Sequence, residues 1–130
     1  MKYLSDYVQE AQSAALKEAG AFFAFNQEQF EADRVPGVEY VNLGIGLICP
    51  RDNRDRLIKN LDDIAAKGRA ADLAENGRAA VILRELYNHE CFYAWDIQAA
   101  VDVLKDYGIS RDEVAKVFHA NAEAAEAAMA

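Results

Sequence analysis

The sequence predicts an α+β fold, with a small three-stranded antiparallel sheet near the N-terminus packed by about five helices and a helical C-terminal half. Three observations lead to this prediction. Short apolar runs rich in β-forming residues come before Pro50, apolar residues at helical spacing follow it, and the 130 residues include only seven glycines and two prolines. A chain of this length can bury a core without a metal or a disulfide. We expect one domain over residues 1–121 and an Ala-rich helical tail over 122–130.

The first fifty residues are predicted to form two helices and three strands. Gly20 follows the first helical pattern, and glycine favours this position because it adopts left-handed backbone angles easily. Asn26 follows an aromatic run and is suited to cap a helix, since its side chain can accept a backbone N–H. The predicted elements are a helix from Tyr3 to Ala19, strands at 21–25, 38–43 and 47–49, the last two paired as a hairpin, and a short helix from Asn26 to Ala32.

After Pro50, the apolar spacing is helical throughout. Asp52 or Asn53 is expected to cap a helix that ends at Gly68, because glycine commonly follows a helix end. Gly77 is expected to interrupt the helical pattern again. The further predicted helices are 69–76, a segment from Val81 to Tyr93, a helix capped by Asp96 and ended by Gly108, and a last helix that begins with a Ser110–Glu113 capping box.

The charge of the chain restricts its partners. Lys and Arg number 14, Asp and Glu number 22, and the formal net charge is −8 at pH 7. This surplus of negative charge disfavours nucleic acid and anionic membranes as partners. No apolar run approaches the roughly 20 residues that span a bilayer. The first residues lack the apolar core of a secretory signal, so we expect a cytoplasmic protein.

The segment from Glu85 to Tyr93 is richest in side chains capable of chemistry. On a helix, Glu85 and His89 would share a face, and Cys91 or Cys49 could complete a site. Zinc needs three or four ligands, and Tyr93 occupies the position where the zincin pattern requires a second His. A Cys–His nucleophile is a further alternative, without a recognisable oxyanion hole. We expect architectural roles for these side chains, no catalytic, metal or cofactor site, and two free, buried cysteines.

Three other motifs have functional alternatives. Arg51 and Arg54 lie at a predicted helix start, where free N–H groups attract anions, although the neighbouring aspartates already supply negative charge there. The segment 44–46, Gly-Ile-Gly, is too short for a nucleotide-binding loop and is expected to be a turn. The segment 104–114 has the spacing of a helix-turn-helix, but acidic residues would open its second helix and face phosphates. An ordinary helical hairpin is therefore expected.

Phe22 and Phe23 pose a clear structural question. Consecutive residues of a strand point to opposite faces of the sheet. Either both faces of the sheet are covered, or one of these two rings is exposed. An exposed ring would indicate a surface for a partner.

Several strings occur in an order that is similar to a known group of proteins: Gly20–Phe25, Gln29-Phe30, Gly37–Val41, Leu43–Pro50, Ala74–Gly77, Arg84–Leu86, Asn88–Cys91 and Gly108–Arg111. They resemble a small family of uncharacterised proteins from bacteria and bacteriophages. The resemblance covers roughly residues 1–118 and leaves out the Ala-rich tail. It implies a bacterial or phage origin and a compact domain, and it implies no activity or ligand.

These observations favour a non-enzymatic protein-binding module, and a phage-encoded inhibitor of a basic host protein is one concrete form. The partner is then another protein, attracted by opposite charge, in the bacterial cytoplasm or in the host cytoplasm; a homo-oligomer is compatible with the sequence. The alternative is a small-molecule or anion-binding protein, or a minor enzyme, with a pocket near Arg51, Arg54 and His89. The candidate binding residues are Phe22, Phe23, Arg51, Arg54, Glu85, His89, Cys91 and Tyr93.

Overall fold

The computed structural model describes residues 1–129. The described chain forms α1 (Leu4–Ala19), β1 (Phe22–Phe23), α2 (Gln27–Asp33), β2 (Tyr40–Asn42), β3 (Leu47–Pro50), α3 (Arg54–Asn76), α4 (Arg78–Asn88), α5 (Cys91–Ala94), α6 (Gln98–Leu104) and α7 (Arg111–Met129). Short 3₁₀ turns precede α3 and follow α6. The α+β class, the three-stranded antiparallel sheet and the helical C-terminal half are confirmed.

The chain divides into two compact units. The first covers residues 2–68 and contains the sheet, α1, α2 and the first part of α3. The second begins at Arg69 and contains the end of α3 and the helices α4 to α7. The single-domain organisation over residues 1–121 stays a prediction.

In the first unit, β3 is the central strand of the sheet. The strand order is β1-β3-β2, with Phe22 opposite Ile48 and Val41 opposite Cys49, and both pairings are antiparallel. The predicted β2–β3 hairpin is therefore confirmed. A central strand has neighbours on both sides, and Leu47, Ile48 and Cys49 are all buried. The core next to it consists of Ala15, Ala19, Cys49 and Leu57, with Leu16, Ala21, Leu43, Leu61 and Ile64 packed against them.

Two predicted helix caps are confirmed and one is wrong. Gly20 ends α1 with φ at +72°, and its N–H lies within hydrogen-bonding reach of Leu16 and Lys17 carbonyl oxygens. Asn26 Oδ1 accepts the N–H of Gln29 at 2.9 Å and caps α2. The predicted cap of α3 was Asp52 or Asn53, but Asp52 lies inside the 3₁₀ turn before α3, and Asn53 Oδ1 accepts from the Arg56 side chain at 3.2 Å rather than from a backbone N–H of α3. Asn53 Nδ2 instead donates to the Ala19 carbonyl oxygen at 2.9 Å, so it satisfies a group at the end of α1.

The predicted end of a helix at Gly68 is wrong. Helix α3 continues through this glycine to Asn76 without a break. A Cβ atom at Gly68 would overlap Val8 Cγ1 and would lie 3.4 Å from Leu4 Cδ1. Glycine is therefore present because α1 approaches α3 closely here. The sequence signal was real, but its cause is packing rather than helix termination.

The predicted single helix from Val81 to Tyr93 is also wrong. In the second unit, α4 ends at Asn88, and Glu90 adopts left-handed backbone angles, φ +54° and ψ +34°, before the short helix α5. This change of direction leaves Cys91 and Phe92 buried. The ring of Phe92 stacks on the ring of Phe118 of α7, with centroids 4.9 Å apart. Tertiary packing has overridden a continuous helical pattern.

The remaining helix ends agree with the sequence in part. Asp96 Oδ1 accepts the N–H of Gln98 at 2.9 Å, as a cap of α6 does. Ser110 Oγ accepts the N–H of Glu113 at 3.2 Å, which is half of the predicted capping box. The carboxylate of Glu113 forms a two-bond ion pair with Arg78 instead, at 2.8 and 2.9 Å. Helix α7 then runs without interruption to Met129.

Candidate functional site

The first unit exposes an aromatic patch, defined here as Phe23, Phe25 and Ile45. These side chains belong to residues that are 46%, 72% and 87% exposed. The rings of Phe23 and Phe25 stack, with centroids 6.3 Å apart and planes 10° apart. Phe23 is the last residue of β1, and Phe25 follows it in a bend outside the strand. Large apolar residues grouped and exposed in this way are typical of a docking surface.

The opposite side of β1 is covered by an aromatic cluster. Phe22 packs edge to face against Tyr40, with ring centroids 5.5 Å apart, and lies 6.2 Å from Phe30. Phe30 in turn meets Tyr40 edge to face at 5.7 Å. Of the two consecutive phenylalanines, Phe22 is therefore structural and Phe23 is the exposed ring.

The turn at residues 44–46 holds Ile45, a member of the aromatic patch, in a strained conformation. Ile45 has φ at +50°, a left-handed angle that is rare for a β-branched residue. Its neighbour Gly46 lies so close to the Phe25 ring that a Cβ at position 46 would overlap Phe25 Cε1. The ring of Phe25 is thus held against the turn while most of the residue stays exposed. Strain at an exposed apolar residue favours a functional reason for its presence.

Arg51 and Arg54 line a shallow pocket of about 450 Å³ in the same unit. Arg51 Nε lies 3.6 Å from Glu39 Oε2, and Arg54 Nη1 lies 4.0 Å from Asp55 Oδ1. All four side chains are largely exposed. The pocket therefore presents two guanidinium groups, each with a carboxylate already close to it.

The second unit contains a buried charge network that the sequence did not predict. Arg84 Nη1 and Nη2 donate to the two carboxylate oxygens of Asp72 at 2.9 and 2.8 Å. The Tyr107 hydroxyl donates to Asp72 Oδ2 at 2.7 Å, and Asn76 Nδ2 donates to Asp72 Oδ1 at 2.8 Å. Burial raises the pKa of Asp72, but these hydrogen bonds and the charge of Arg84 outweigh burial and hold the pKa below its usual range. Asp72 is fully buried, so this network is structural.

Glu85 connects this network to His89. Glu85 Oε1 accepts from Arg84 Nε at 3.2 Å, and Glu85 Oε2 lies 3.5 Å from His89 Nε2. The predicted Glu85–His89 pair on one helix face is therefore formed, at a longer distance than a good hydrogen bond. Glu85 is buried and its carboxylate is bound by Arg84, so its role is to position the neighbouring side chains.

The two cysteines are free and buried, as expected. Burial raises the pKa of the Cys49 thiol and of the Cys91 thiol. A thiol with a raised pKa is a poor nucleophile and a poor metal ligand at neutral pH, because the thiolate is the reactive form. Among residues 1–129, no group of three or more His, Cys, Asp or Glu side chains is placed to hold a metal ion.

The second unit also contains an aromatic pocket, defined here by Leu86, Tyr87, Glu90, Phe92 and Tyr93, with a volume of about 310 Å³. Its wall is made by Tyr87 and Phe92, whose ring centroids lie 5.1 Å apart. Tyr93 is 81% exposed and stands at the opening. The pocket exists because the left-handed turn at Glu90 brings residues of α4 and α5 side by side.

The structure thus divides the candidate binding residues between the units. Phe22, Phe23, Arg51 and Arg54 belong to the first unit, and Glu85, His89, Cys91 and Tyr93 to the second. Sequence reasoning missed Phe25 and Ile45, for which the signal was an apolar residue beside Asn26 and a branched residue between two glycines. It also missed Glu90, which carries no local sequence signal for a left-handed turn.

The fold and these surfaces define an α+β protein with an exposed aromatic patch. Residues 4–127 match the model of a family of unknown function, DUF7659, and the chain belongs to this family. The match extends into the Ala-rich tail, beyond the residues 1–118 over which the resemblance was found. Comparison with curated proteins and with solved structures gives no match. The bacterial or phage origin stays a prediction.

No helix in the described part of the chain has both the length and the apolar character needed to cross a bilayer.

Proposed function

We propose that this chain is a non-enzymatic protein-binding module that docks a basic partner protein through the aromatic patch. The observation that carries the proposal is the exposure of the stacked Phe23 and Phe25 rings, together with exposed Ile45 in the turn against which Phe25 lies. Burying a large apolar side chain contributes about 1.5–3 kcal/mol. In the free chain, much of this free energy is not gained at Phe23, Phe25 and Ile45, because these residues stay exposed. A bound partner would bury them and gain it.

The charge of the chain supports a basic partner. The formal net charge is −8. Opposite charge on a partner accelerates encounter and favours that partner over others, whereas the apolar contact supplies most of the affinity. A phage-encoded inhibitor that covers a basic surface of a host protein is one form of this function. Cytoplasmic location, in the bacterium or in the host, is part of the same proposal.

The proposal is tested by site-specific photo-cross-linking in lysate of the producing cells. A photoreactive residue at position 45 lies in the patch, and one at Ile58, which is exposed on α3, is the matched control. We expect one basic protein to cross-link from position 45 and not from position 58. That protein, purified, should bind the wild-type chain in calorimetry and bind Phe25→Ser at least tenfold more weakly, with Val38→Ser as an exposed control.

Two results would overturn the proposal. One is equal binding of the purified protein to the wild type and to Phe25→Ser, because the patch would then carry no affinity. The other is a dimer in sedimentation that Phe25→Ser dissociates, because the patch would then be covered by a second copy of this chain.

The alternative function, an anion-binding protein, is supported by the two guanidinium groups of Arg51 and Arg54 at one pocket. Inorganic phosphate and a nucleoside triphosphate serve as probes in a thermal-shift assay, since a ligand that binds only the folded state raises the melting temperature. The alternative expects a rise that Arg51→Ala removes. No rise with either probe would contradict it.

A further inference from the structure

The aromatic pocket of the second unit has the composition of a site for an organic cation. Three of its five lining residues are aromatic, namely Tyr87, Phe92 and Tyr93. The face of an aromatic ring carries partial negative charge and attracts ammonium and guanidinium groups. A volume of about 310 Å³ is large enough for such a group.

Glu90 gives the pocket its charge selectivity. It is the one lining residue with a formal charge at neutral pH, and Lys and Arg are not among the residues that line the pocket. In the described chain, Glu90 has no salt bridge, whereas the neighbouring Glu85 is engaged by Arg84. Glu90 has a left-handed backbone and lines the pocket together with Tyr87 and Phe92. An exposed carboxylate beside aromatic rings favours a cation over a neutral or anionic ligand.

We propose that Tyr87, Glu90, Phe92 and Tyr93 form a binding site for an alkylammonium or guanidinium group. The group packs against the exposed rings of Tyr87 and Tyr93, while the buried Phe92 supports the Tyr87 ring, and its charge is neutralised by the Glu90 carboxylate. A small free cation and a Lys or Arg side chain of a protein present the same chemistry. The site lies outside the aromatic patch, and its test needs no partner protein, so it can fail while the proposed function stands.

The test compares two probes of nearly equal shape. Choline carries a quaternary ammonium group, and 3,3-dimethyl-1-butanol is its neutral counterpart. In NMR titrations of the full chain, we expect choline to shift the ring signals of Tyr87 and Tyr93 in a saturable manner. The neutral alcohol should bind at least about tenfold more weakly, because it carries no charge for the aromatic rings and the carboxylate to attract.

Variants then assign the interaction to the named residues. Glu90→Gln keeps the shape and removes the charge, and Tyr93→Leu removes the ring at the opening. Each should weaken choline binding at least about fivefold. Glu123→Gln, an exposed carboxylate of α7, and Val103→Ala, an exposed residue of α6, are the matched controls and should not change it.

A second pair of probes separates the two sources of the cation. If N-acetyl-arginine amide binds more tightly than choline, the site takes a protein side chain; the reverse order indicates a free organic cation. Equal affinity for choline and the neutral alcohol would overturn the proposal, since the pocket would then be only apolar. So would the absence of any saturable shift, or unchanged choline binding in Glu90→Gln.

Discussion

Replacing Gly68 with alanine should destabilise the protein, although the change should favour the helix itself. Gly68 lies inside α3, where alanine is preferred over glycine by about 1 kcal/mol. The added methyl group would overlap Val8 Cγ1 and approach Leu4 Cδ1 at 3.4 Å. Overpacking a closed interior costs about 1–3 kcal/mol. Because the overlap with Val8 is severe, we expect the upper part of this range and a net loss of about 1–2 kcal/mol.

Urea denaturation measures this loss as a difference in the free energy of unfolding. Ala66→Gly, at an exposed position of the same helix, measures how much a glycine in this helix lowers the free energy of unfolding through helix propensity alone. We expect about 1 kcal/mol. The decisive measurement is Gly68→Ala in a Val8→Ala background. Removing the Val8 methyl groups opens the space, so Gly68→Ala should there become neutral or stabilising by up to about 1 kcal/mol.

A stabilising Gly68→Ala in the wild-type background would refute the reasoning, because helix propensity would then dominate. The same would follow if Gly68→Ala had an equal effect in both backgrounds. The contact with Val8 would then not be the reason for the glycine.

Three further predictions concern the buried network and a helix cap. Arg84→Met should lower the free energy of unfolding by about 3–5 kcal/mol, because it leaves the Asp72 carboxylate buried without its ion pair; thermal denaturation checks this. Burial and the hydrogen bond to Asp72 raise the pKa of Tyr107 to about 12. The difference in free energy of unfolding between the wild type and Tyr107→Phe should therefore be largest below pH 10 and should disappear as pH rises towards 12. The pKa of Asp72 is lowered instead, so its contribution to the free energy of unfolding should be lost as pH falls below about 4. Asn26→Ala should cost about 1 kcal/mol in urea denaturation, and Asn26→Ser should restore most of it.

The sequence predicted those elements whose ends are determined locally. Gly20 and Asn26 act through their own backbone and side chain, so the bounds of α1 and α2 could be inferred without knowing the fold. Gly68 could not be interpreted in the same way. A glycine indicates either a helix end or a close approach by another segment, and only the position of Val8 decides between them.

The candidate sites were harder to predict, because they depend on which residues the fold leaves exposed or buries. Phe25 and Ile45 are apolar, and apolar residues are normally expected in the core. Asp72 and Arg84 are charged and are normally expected at the surface, yet each satisfies the other inside the second unit. In both cases, the residue type gives the wrong expectation, and only the tertiary environment corrects it.

Glu90 is the residue at which stability and the proposed cation binding oppose each other. Its left-handed backbone, φ +54°, costs a non-glycine residue about 1 kcal/mol, and glycine would remove this cost. Glu90→Gly should therefore raise the free energy of unfolding by about 1 kcal/mol while it weakens choline binding as much as Glu90→Gln does. Glu90→Gln, which retains the backbone cost, should leave stability unchanged. If Glu90→Gln instead lowered stability, the carboxylate would be supporting the fold, and its assignment to a ligand would be wrong.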